Sequence, residues 1–262
     1  MALDERIITE AIASEYYKKF ISSLSLDVAI VGGGPSGLTA AWKLAENGRN
    51  VALFERKLSI GGGMWGGGMT WNYIVVQDES KSILEDAGLK LKQFKPNYWT
   101  VDAVAATTTL ASKACLAGAK VFNCMSVEDV SIREEDGAKR VNGLVINSAP
   151  VEMAGLHVDP VVLYTEYVIE ATGHDCELLK TLVRKNDVTL NTPSGKLEGE
   201  QSMWADRAES TTVDNTREIF PGVYVAGMAA NASYGSYRMG PIFGGMLMSG
   251  VKVAEEINER LG

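Results

Sequence analysis

The chain has 262 residues, of which 46% are hydrophobic and 22% are charged, and its formal net charge at pH 7 is −8. An acidic chain without a Lys/Arg run argues against a nucleic-acid partner, because phosphate recognition needs a basic patch. The longest apolar runs are strand-sized and interrupted by glycine, so we expect no membrane span and no membrane partner. The N-terminus lacks the features of a signal peptide, and the three cysteines lack CxxC spacing, which together predict a cytoplasmic protein with reduced thiols.

The first predicted element is a helix over residues 3–24. Apolar side chains recur there at helical spacing, with charged side chains between them. This pattern predicts an amphipathic helix that packs either on the core or on a neighbouring subunit.

The most informative motif lies at residues 26–56. An apolar run meets Gly32-x-Gly34-x-x-Gly37, an alanine-rich helical stretch follows, and a second apolar run ends at Glu55. This is the order of strand, turn, helix and strand in a Rossmann dinucleotide site. There the first glycine permits the tight turn, the second lets the backbone approach a pyrophosphate, and the third lets helix and strand pack closely. Glu55 is then expected to accept hydrogen bonds from the adenosine ribose.

Residues 59–69 follow, and six of these eleven residues are glycine. Glycine at this density costs conformational entropy and builds no core. Two interpretations remain open for the segment: its backbone lies against the pyrophosphate, or it forms a flexible lid without contacts.

The rest of the chain alternates helical and strand patterns. We predict helices over 79–89, 103–117, 176–186 and within 240–261, strands over 119–130, 161–170 and 222–227, and a hairpin over 129–147. Residues 189–216 are polar without strong periodicity and form a candidate lid or subunit-contact loop. The whole indicates one α/β domain over 1–262, a flavoprotein-like Rossmann (GxGxxG) fold with an inserted β-rich segment at about 129–170.

The two histidines of the chain each have an aspartate close by. His157-Val158-Asp159 precedes a predicted strand, and His174-Asp175 follows one. Imidazole and carboxylate ligands with open positions suit divalent iron. Histidines about 17 residues apart are not a recognised ligand spacing, however, so hydrogen-bonded loop histidines are an equal alternative.

Two other side chains could carry chemistry. Arg238 is the one cation in a loop rich in glycine, serine and tyrosine, which suits a bidentate clamp on a small carboxylate, with a surface ion pair as the alternative. Cys176 opens a predicted helix, where a thiol can have a lowered pKa.

Several motifs together resemble the thiamine thiazole synthase family over nearly the full length of the chain. They are residues 61–68, His157-Val-Asp-Pro160, Ala171-Thr-Gly-His-Asp175 and Tyr237-Arg-Met-Gly-Pro241. Residues 26–56 also look like the dinucleotide domain of flavoproteins, but Met228 stands where such flavoenzymes usually carry an aspartate. That departure weakens an FAD interpretation and favours an ADP-ribose-type ligand.

The resemblance implies an enzyme of thiamine biosynthesis. In such an enzyme NAD loses nicotinamide, and its ADP-ribose combines with glycine and sulfide to give an ADP-thiazole carboxylate, with Fe(II) as template and Lewis acid. Eukaryotic members carry a sulfur-donating cysteine at the place of His157. Histidine at this position therefore resembles the archaeal branch, which is implied to use external sulfide and to turn over repeatedly.

The resemblance also implies roles for individual residues. Asp159 and His174 would ligate Fe(II), from adjacent subunits of a homo-octamer, His157 would act as a base or positioning group, and Arg238 would clamp the glycine carboxylate. The implied nucleotide contacts are Gly32, Gly34, Ser36, Gly37, Glu55, Arg56, Gly63, Val127, His157, Val158, Asp159 and Met228. The alternatives are an FAD-dependent oxidoreductase, a ribose 1,5-bisphosphate isomerase, which is a label this family has also carried, and a non-catalytic nucleotide-binding protein.

Overall fold

The computed structural model describes residues 2–135 and 137–262 and has an α/β architecture. Asp136, which belongs to the predicted turn of the 129–147 hairpin, and Met1 lie outside the described residues. The helices are α1 (Glu5–Ile21), α2 (Pro35–Glu46), α3 (Asp78–Asp86), α4 (Ala103–Ala117), α5 (Ala149–Met153), α6 (Glu177–Lys185), α7 (Ala205–Asn215), α8 (Met228–Ser233) and α9 (Gly244–Leu261). Two 3₁₀ turns cover Gly62–Gly66 and Gly173–Asp175.

The strands fall into one large and two small sheets. They are β1 (Ser25–Val31), β2 (Val51–Glu55), β3 (Tyr73–Val76), β4 (Lys92–Lys95), β5 (Tyr98–Asp102), β6 (Lys120–Asn123), β7 (Met125–Glu135), β8 (Ala138–Ser148), β9 (Val161–Glu170), β10 (Gln201–Met203), β11 (Arg217–Phe220), β12 (Val223–Val225) and β13 (Tyr237–Arg238). The large sheet has the order β11-β12-β9-β1-β2-β6, and β3-β5-β4 and β10-β13 form the small sheets.

The centre of the large sheet is parallel, as the Rossmann prediction requires. β1 pairs in parallel with β2 on one side and with β9 on the other, and β2 and β9 pair in parallel with β6 and β12. β7 and β8 form a long antiparallel hairpin that joins the first half of β9. The hairpin therefore branches from β9, a central strand of the sheet, whereas the predicted insert at about 129–170 included β9 itself. The fold is of the Rossmann dinucleotide-binding class.

Helix α2 is the buried crossover between β1 and β2. It begins with Pro35 at a position where a missing backbone N–H costs nothing, and ten of its twelve residues are buried. It packs against α4 and α9, and at the crossing with α9 a Cβ on Gly250 would lie 2.5 Å from Ser36 O. Close packing on both sides fixes the start of α2, where the glycine turn meets the helix.

Helix α1 is the least buried of these helices. No residue of α1 is buried, although Tyr16 and Phe20 approach Phe122 edge-on, with ring centroids 6.0 and 6.4 Å apart. Large apolar side chains, among them Ile7 and Ile12, are exposed on it. The sequence predicted that α1 packs either on the core or on a neighbouring subunit. The core of this chain covers very little of the helix.

Three parts of the secondary-structure prediction were wrong. The predicted strand over 119–130 is two strands, because Cys124 has a left-handed backbone (φ 56°) that separates β6 from β7. The sheet β3-β5-β4 was not predicted at all. Residues 189–216, predicted to be an aperiodic loop, contain β10 and α7.

Within residues 2–135 and 137–262, no helix has both the length and the apolar character needed to cross a membrane.

Candidate active site

A cavity of about 1100 Å³ opens at one edge of the large sheet. Gly32 follows the end of β1, Arg56 the end of β2 and Ala171 the end of β9, and all three residues line it. Ligands of open parallel sheets bind at the carboxyl ends of the strands. The cavity thus occupies the position where the sequence predicts a dinucleotide.

The glycine turn forms one wall of this cavity. Gly32 has φ 103°, and a Cβ there would lie 2.4 Å from Ala171 O, so only glycine fits. A Cβ on Gly37 would lie 2.1 Å from Gly32 O, which explains the close contact of helix and strand. Gly37 is buried in α2 and does not line the cavity. Gly34 does line it, and a Cβ built there meets nothing within 4 Å, so its backbone faces open space suited to a pyrophosphate.

Glu55 lies beside this turn and is only 8% exposed. Its Oε2 accepts a hydrogen bond from the Gly33 N–H (2.9 Å), and its Oε1 accepts one from the Lys57 N–H (2.8 Å). Each carboxylate oxygen can accept a second hydrogen bond. The two backbone donors therefore orient the carboxylate while leaving it able to bind ribose hydroxyls.

Arg56, another predicted nucleotide contact, forms an ion pair with Glu177 at the start of α6. Both residues line the cavity. Burial raises the pKa of Glu177, and the Arg56 guanidinium offsets part of that rise. The pair connects the end of β2 to α6 across the cavity.

The glycine-rich segment 59–69 is packed against the fingerprint turn. The Gly61 N–H donates to Gly33 O (2.6 Å), and Trp65 Nε1–H donates to Ile60 O (2.6 Å). Gly63 and Met69 line the cavity. The segment is therefore not a lid without contacts: it is part of the cavity wall and is hydrogen-bonded to the glycine turn.

Ser36, Val127 and Met228 complete the predicted nucleotide contacts that line the cavity. Ser36 is in the first turn of α2 and Met228 is the first residue of α8; both are buried. Val127 lies on β7, which packs against α6, so the hairpin supplies the part of the cavity wall beside that helix. The Met228 side chain thus places an apolar thioether at the position where the sequence comparison with flavoenzymes expects a carboxylate.

His174 lies in the 3₁₀ turn after β9 and lines the same cavity. Its Nδ1 is hydrogen-bonded to Glu200 Oε2, and the histidine side chain is 39% exposed. The His174 side chain is thus only partly buried, and a hydrogen bond to a carboxylate, more than packing, orients its ring.

Arg238 lies on β13 and also lines the cavity. Its backbone carbonyl accepts a hydrogen bond from the Trp204 N–H (3.0 Å). Its guanidinium forms no ion pair with any residue in 2–135 or 137–262. The surface ion pair that the sequence left open is therefore not formed within the described chain, and the cation is available to a ligand.

His157, Val158 and Asp159 are not brought to this cavity. They lie in an exposed segment between α5 and β9, where Val158 O accepts a hydrogen bond from Asn147 Nδ2 (3.0 Å). Across the described residues there is no group of three or more His, Cys, Asp or Glu side chains that could hold a metal ion. The two predicted iron ligands thus do not form a centre within one chain.

The lowered pKa that a position at a helix start can give is not found at Cys176. The residue is 2% exposed, and burial, followed by the charge of Glu170, raises the pKa of its thiol to about 12. The thiol donates to Ala229 O (3.5 Å) inside the core. A buried neutral thiol of this kind is not a nucleophile.

Sequence reasoning missed several residues of the site. Lys180, Thr181 and Arg184 form one face of α6 along the cavity, and helical spacing within 176–186 could have revealed them. Glu200 lies 26 residues from its partner His174, and no spacing rule connects the two.

Comparison with known proteins agrees with this geometry. The Thi4 family model matches residues 9–243. The chain is 75% identical to the thiamine thiazole synthase of Solidesulfovibrio magneticus, covering 100% of this chain and 99% of that protein. It is 56% identical to the thiamine thiazole synthase of Methanothermobacter thermautotrophicus, with 100% of both covered. The crystal structure of Thermovibrio ammonificans THI4 superposes with a TM-score of 0.96 at 54% identity, over 100% of this chain and 99% of that one. The chain belongs to the Thi4 family.

Proposed function

We propose that this protein is a thiamine thiazole synthase that converts NAD, glycine and sulfide into an ADP-thiazole carboxylate with the help of Fe(II). The observation that carries the proposal is that one cavity combines the glycine turn with His174 and Arg238. A dinucleotide whose pyrophosphate lies on the turn would place its far end among reactive side chains. It would then be consumed as a substrate.

The binding half of this proposal rests on the turn and Glu55. Free N–H groups at the start of α2 would receive the pyrophosphate, and the Glu55 carboxylate, already oriented by Gly33 and Lys57, would accept the ribose hydroxyls. Flavoenzymes of this pattern carry an aspartate at the position of Met228. Its absence favours an ADP-ribose-type ligand over FAD.

The reacting half assigns a role to Arg238. Its guanidinium could bind the glycine carboxylate through two parallel N–H donors, which fixes the amino group relative to the sugar. This role needs an arginine that is not neutralised by its own chain, and no acidic side chain of the described residues forms an ion pair with Arg238.

The donor chemistry of the site fits an iron ion shared between two subunits. His174 has one ring nitrogen engaged by a carboxylate, which is the usual arrangement of a metal-binding histidine. Asp159 is exposed and free to enter a neighbouring subunit's cavity, together with His157. Asp159 and His174 would hold Fe(II), which supplies Lewis acidity and a template for the substrates. His157 would serve as a base or positioning group.

The shared site requires a homo-oligomer, an octamer by family resemblance. Exposed apolar residues occur on α1 and at the start of β9, including Val161 and Val162 next to the Asp159 segment. Apolar patches of this kind mark interaction sites. Mass photometry of the purified protein should give a multiple of the 28.2 kDa chain mass, and a monomer would remove the basis for a shared iron site.

The direct test is anaerobic incubation with NAD, glycine, sulfide and Fe(II), followed by mass spectrometry. We expect an adenylated thiazole and repeated turnover, and we expect His174→Ala to lose both product and bound iron. Absence of product in the complete mixture would contradict the proposal.

The sulfur source can be tested separately, because His157 stands where eukaryotic relatives are implied to carry a donor cysteine. A variant with Cys115, Cys124 and Cys176 all replaced by serine or alanine should still turn over repeatedly with sulfide. Loss of sulfur transfer in a folded variant would instead indicate a cysteine donor.

Two other functions can be distinguished by further measurements on the purified protein. A yellow protein with a flavin spectrum after purification would favour the FAD-dependent oxidoreductase, and conversion of ribose 1,5-bisphosphate would favour the isomerase. We further propose that the partners are these small molecules, without nucleic acid or membrane, and that the enzyme works in the cytoplasm.

A further inference from the structure

The hydrogen bond between His174 and Glu200 joins two segments that the sequence does not connect. His174 Nδ1 is the hydrogen-bonded nitrogen, and Nε2 has no partner among residues 2–135 and 137–262. An ionised carboxylate can only accept, so Nδ1 carries the proton in this bond. In a ring protonated on Nδ1 alone, the lone pair lies on Nε2.

Glu200 is held in place independently of the histidine. On one side of it the Glu198 N–H donates to Ser233 O (3.2 Å), and on the other the Gln201 N–H donates to Ser236 O (2.8 Å). The Gln201 side chain also donates to Gly235 O (2.5 Å). These bonds tie the Glu200 backbone to the turn between α8 and β13, so the point from which its carboxylate reaches His174 is fixed.

The same turn leads into the strand that carries Arg238. β10 begins at Gln201 and pairs in parallel with β13, which consists of Tyr237 and Arg238. One short two-stranded sheet therefore positions both the carboxylate that holds His174 and the proposed glycine clamp.

We propose that Glu200 is a positioning residue that fixes the Nδ1–H tautomer and the ring orientation of His174 and so prepares Nε2 to bind a divalent metal ion. The inference rests on the proposed function, which assigns His174 as a metal ligand. Hydrogen bonds from outer-shell carboxylates orient metal-binding histidines, and their loss typically lowers metal affinity 10- to 100-fold. A merely structural ion pair would change stability without changing the tautomer or the metal affinity.

The first test needs no metal, because the chain has only two histidines. Solid-state NMR of protein labelled with ¹⁵N-histidine, with His157→Ala to assign the signals, should show His174 protonated on Nδ1 and unprotonated on Nε2 at pH 8. Glu200→Ala should give a mixture of tautomers, and Glu200→Gln, whose amide oxygen can still accept a hydrogen bond from Nδ1–H, should largely keep the wild-type signal. An unchanged tautomer in Glu200→Ala would overturn the inference.

The second test measures metal affinity directly with Co(II), followed by its visible absorption under anaerobic conditions. We expect Glu200→Ala to weaken binding about 10- to 100-fold, and Glu200→Gln to weaken it less. The matched control is Glu198→Ala, two residues away, where the lost carboxylate accepts a hydrogen bond from the nearby Ser194 N–H (2.7 Å) instead of from His174.

The outcomes separate the inference from the proposed function. If wild-type protein binds no Co(II), the assignment of His174 as a ligand fails. If wild-type protein binds Co(II) and Glu200→Ala binds it equally well, or if Glu198→Ala weakens binding as much, the positioning role of Glu200 fails while the metal site stands.

Discussion

The two ends of the cavity are built in different ways. The nucleotide end is made by β1, α2 and β2, which are consecutive in sequence, and most of its residues are buried, with Glu55 hydrogen-bonded to the Gly33 N–H. The reacting end combines His174, Glu200 and Arg238 from separate segments, all at least partly exposed. Asp159, expected to take part there, lies outside the cavity of its own chain.

This difference shows which parts of the site one chain can complete. Buried backbone contacts fix the nucleotide end without a partner. Among the residues that the structure describes, nothing pairs with the Arg238 guanidinium or with Nε2 of His174 at the reacting end. In the proposed function, a substrate, a metal ion and a second chain would bind these groups. Changes at the two ends should therefore have separable effects on stability and on chemistry.

The largest effect is expected at the glycine turn, where two neighbouring glycines should respond differently. Gly32→Ala places a Cβ 2.4 Å from Ala171 O at φ 103° and should lower the free energy of unfolding by about 3 kcal/mol or more. Gly34→Ala meets nothing within 4 Å and should leave the melting temperature nearly unchanged while weakening NAD binding at least about tenfold, because its Cβ occupies the space of the pyrophosphate.

Thermal unfolding and isothermal titration with NAD measure these two effects. Equal NAD affinity in Gly34→Ala and wild type would break the assignment of the turn as a pyrophosphate site.

At the reacting end, Arg238→Ala should raise the KM for glycine about 10- to 100-fold while the affinity for NAD stays the same. Arg238→Lys should recover only part of the loss, because lysine lacks the planar pair of donors. Arg207→Ala is the control, since this nearby guanidinium stacks over Trp204 with its carbon 5.2 Å from the ring centroid. If Arg238→Ala leaves the KM for glycine unchanged, Arg238 does not bind the glycine carboxylate.

A smaller effect is expected behind the reacting end, at Glu209. This residue is 3% exposed and accepts a hydrogen bond from the Gly245 N–H at the start of α9, and burial raises the pKa of its carboxyl to about 7. The unfolded chain, with a pKa near 4.5, then releases this proton more readily than the folded one, so stability falls as pH rises from about 4.5 to 7.

Glu209→Gln should remove this part of the pH dependence. The full shift corresponds to about 3 kcal/mol, and structural relaxation around the carboxylate reduces the expected difference to about 1–2 kcal/mol. Urea unfolding of both proteins at pH 5 and pH 8 tests it, and Glu218→Gln, at a partly exposed carboxylate on β11, serves as control. Parallel stability profiles for wild type and Glu209→Gln would show that the buried carboxyl does not titrate in this range.

The nucleotide end could be predicted from sequence because its determinants are local. Three glycines, two apolar runs and Glu55 all lie within residues 28–55, and each has a known role in a strand-turn-helix-strand unit. β4 could not be predicted, since all four of its residues are exposed and show no apolar alternation. The buried positions of α7 are Ala208, Glu209 and Thr212, so polar side chains hide its helical period.

The reacting end was predicted only in part, and for a different reason. His174 and Arg238 follow from their residue types and surroundings, and the family resemblance supplies their roles. The Glu200 contact depends on how β10 pairs with β13, and such long-range pairing leaves no local pattern. In the proposed shared site, the placement of His157 and Asp159 relative to His174 would likewise depend on a neighbouring chain, which no single-chain pattern describes.

The central claim is that the reacting end is completed by a second copy of the chain, and subunit mixing tests it most directly. Asp159→Ala and His174→Ala, each expected to be inactive alone, are co-expressed with different affinity tags, and doubly tagged oligomers are isolated. If each site takes His174 from one chain and Asp159 from another, random mixing restores about one quarter of the wild-type activity. Mixed oligomers as inactive as the single variants would contradict the shared site.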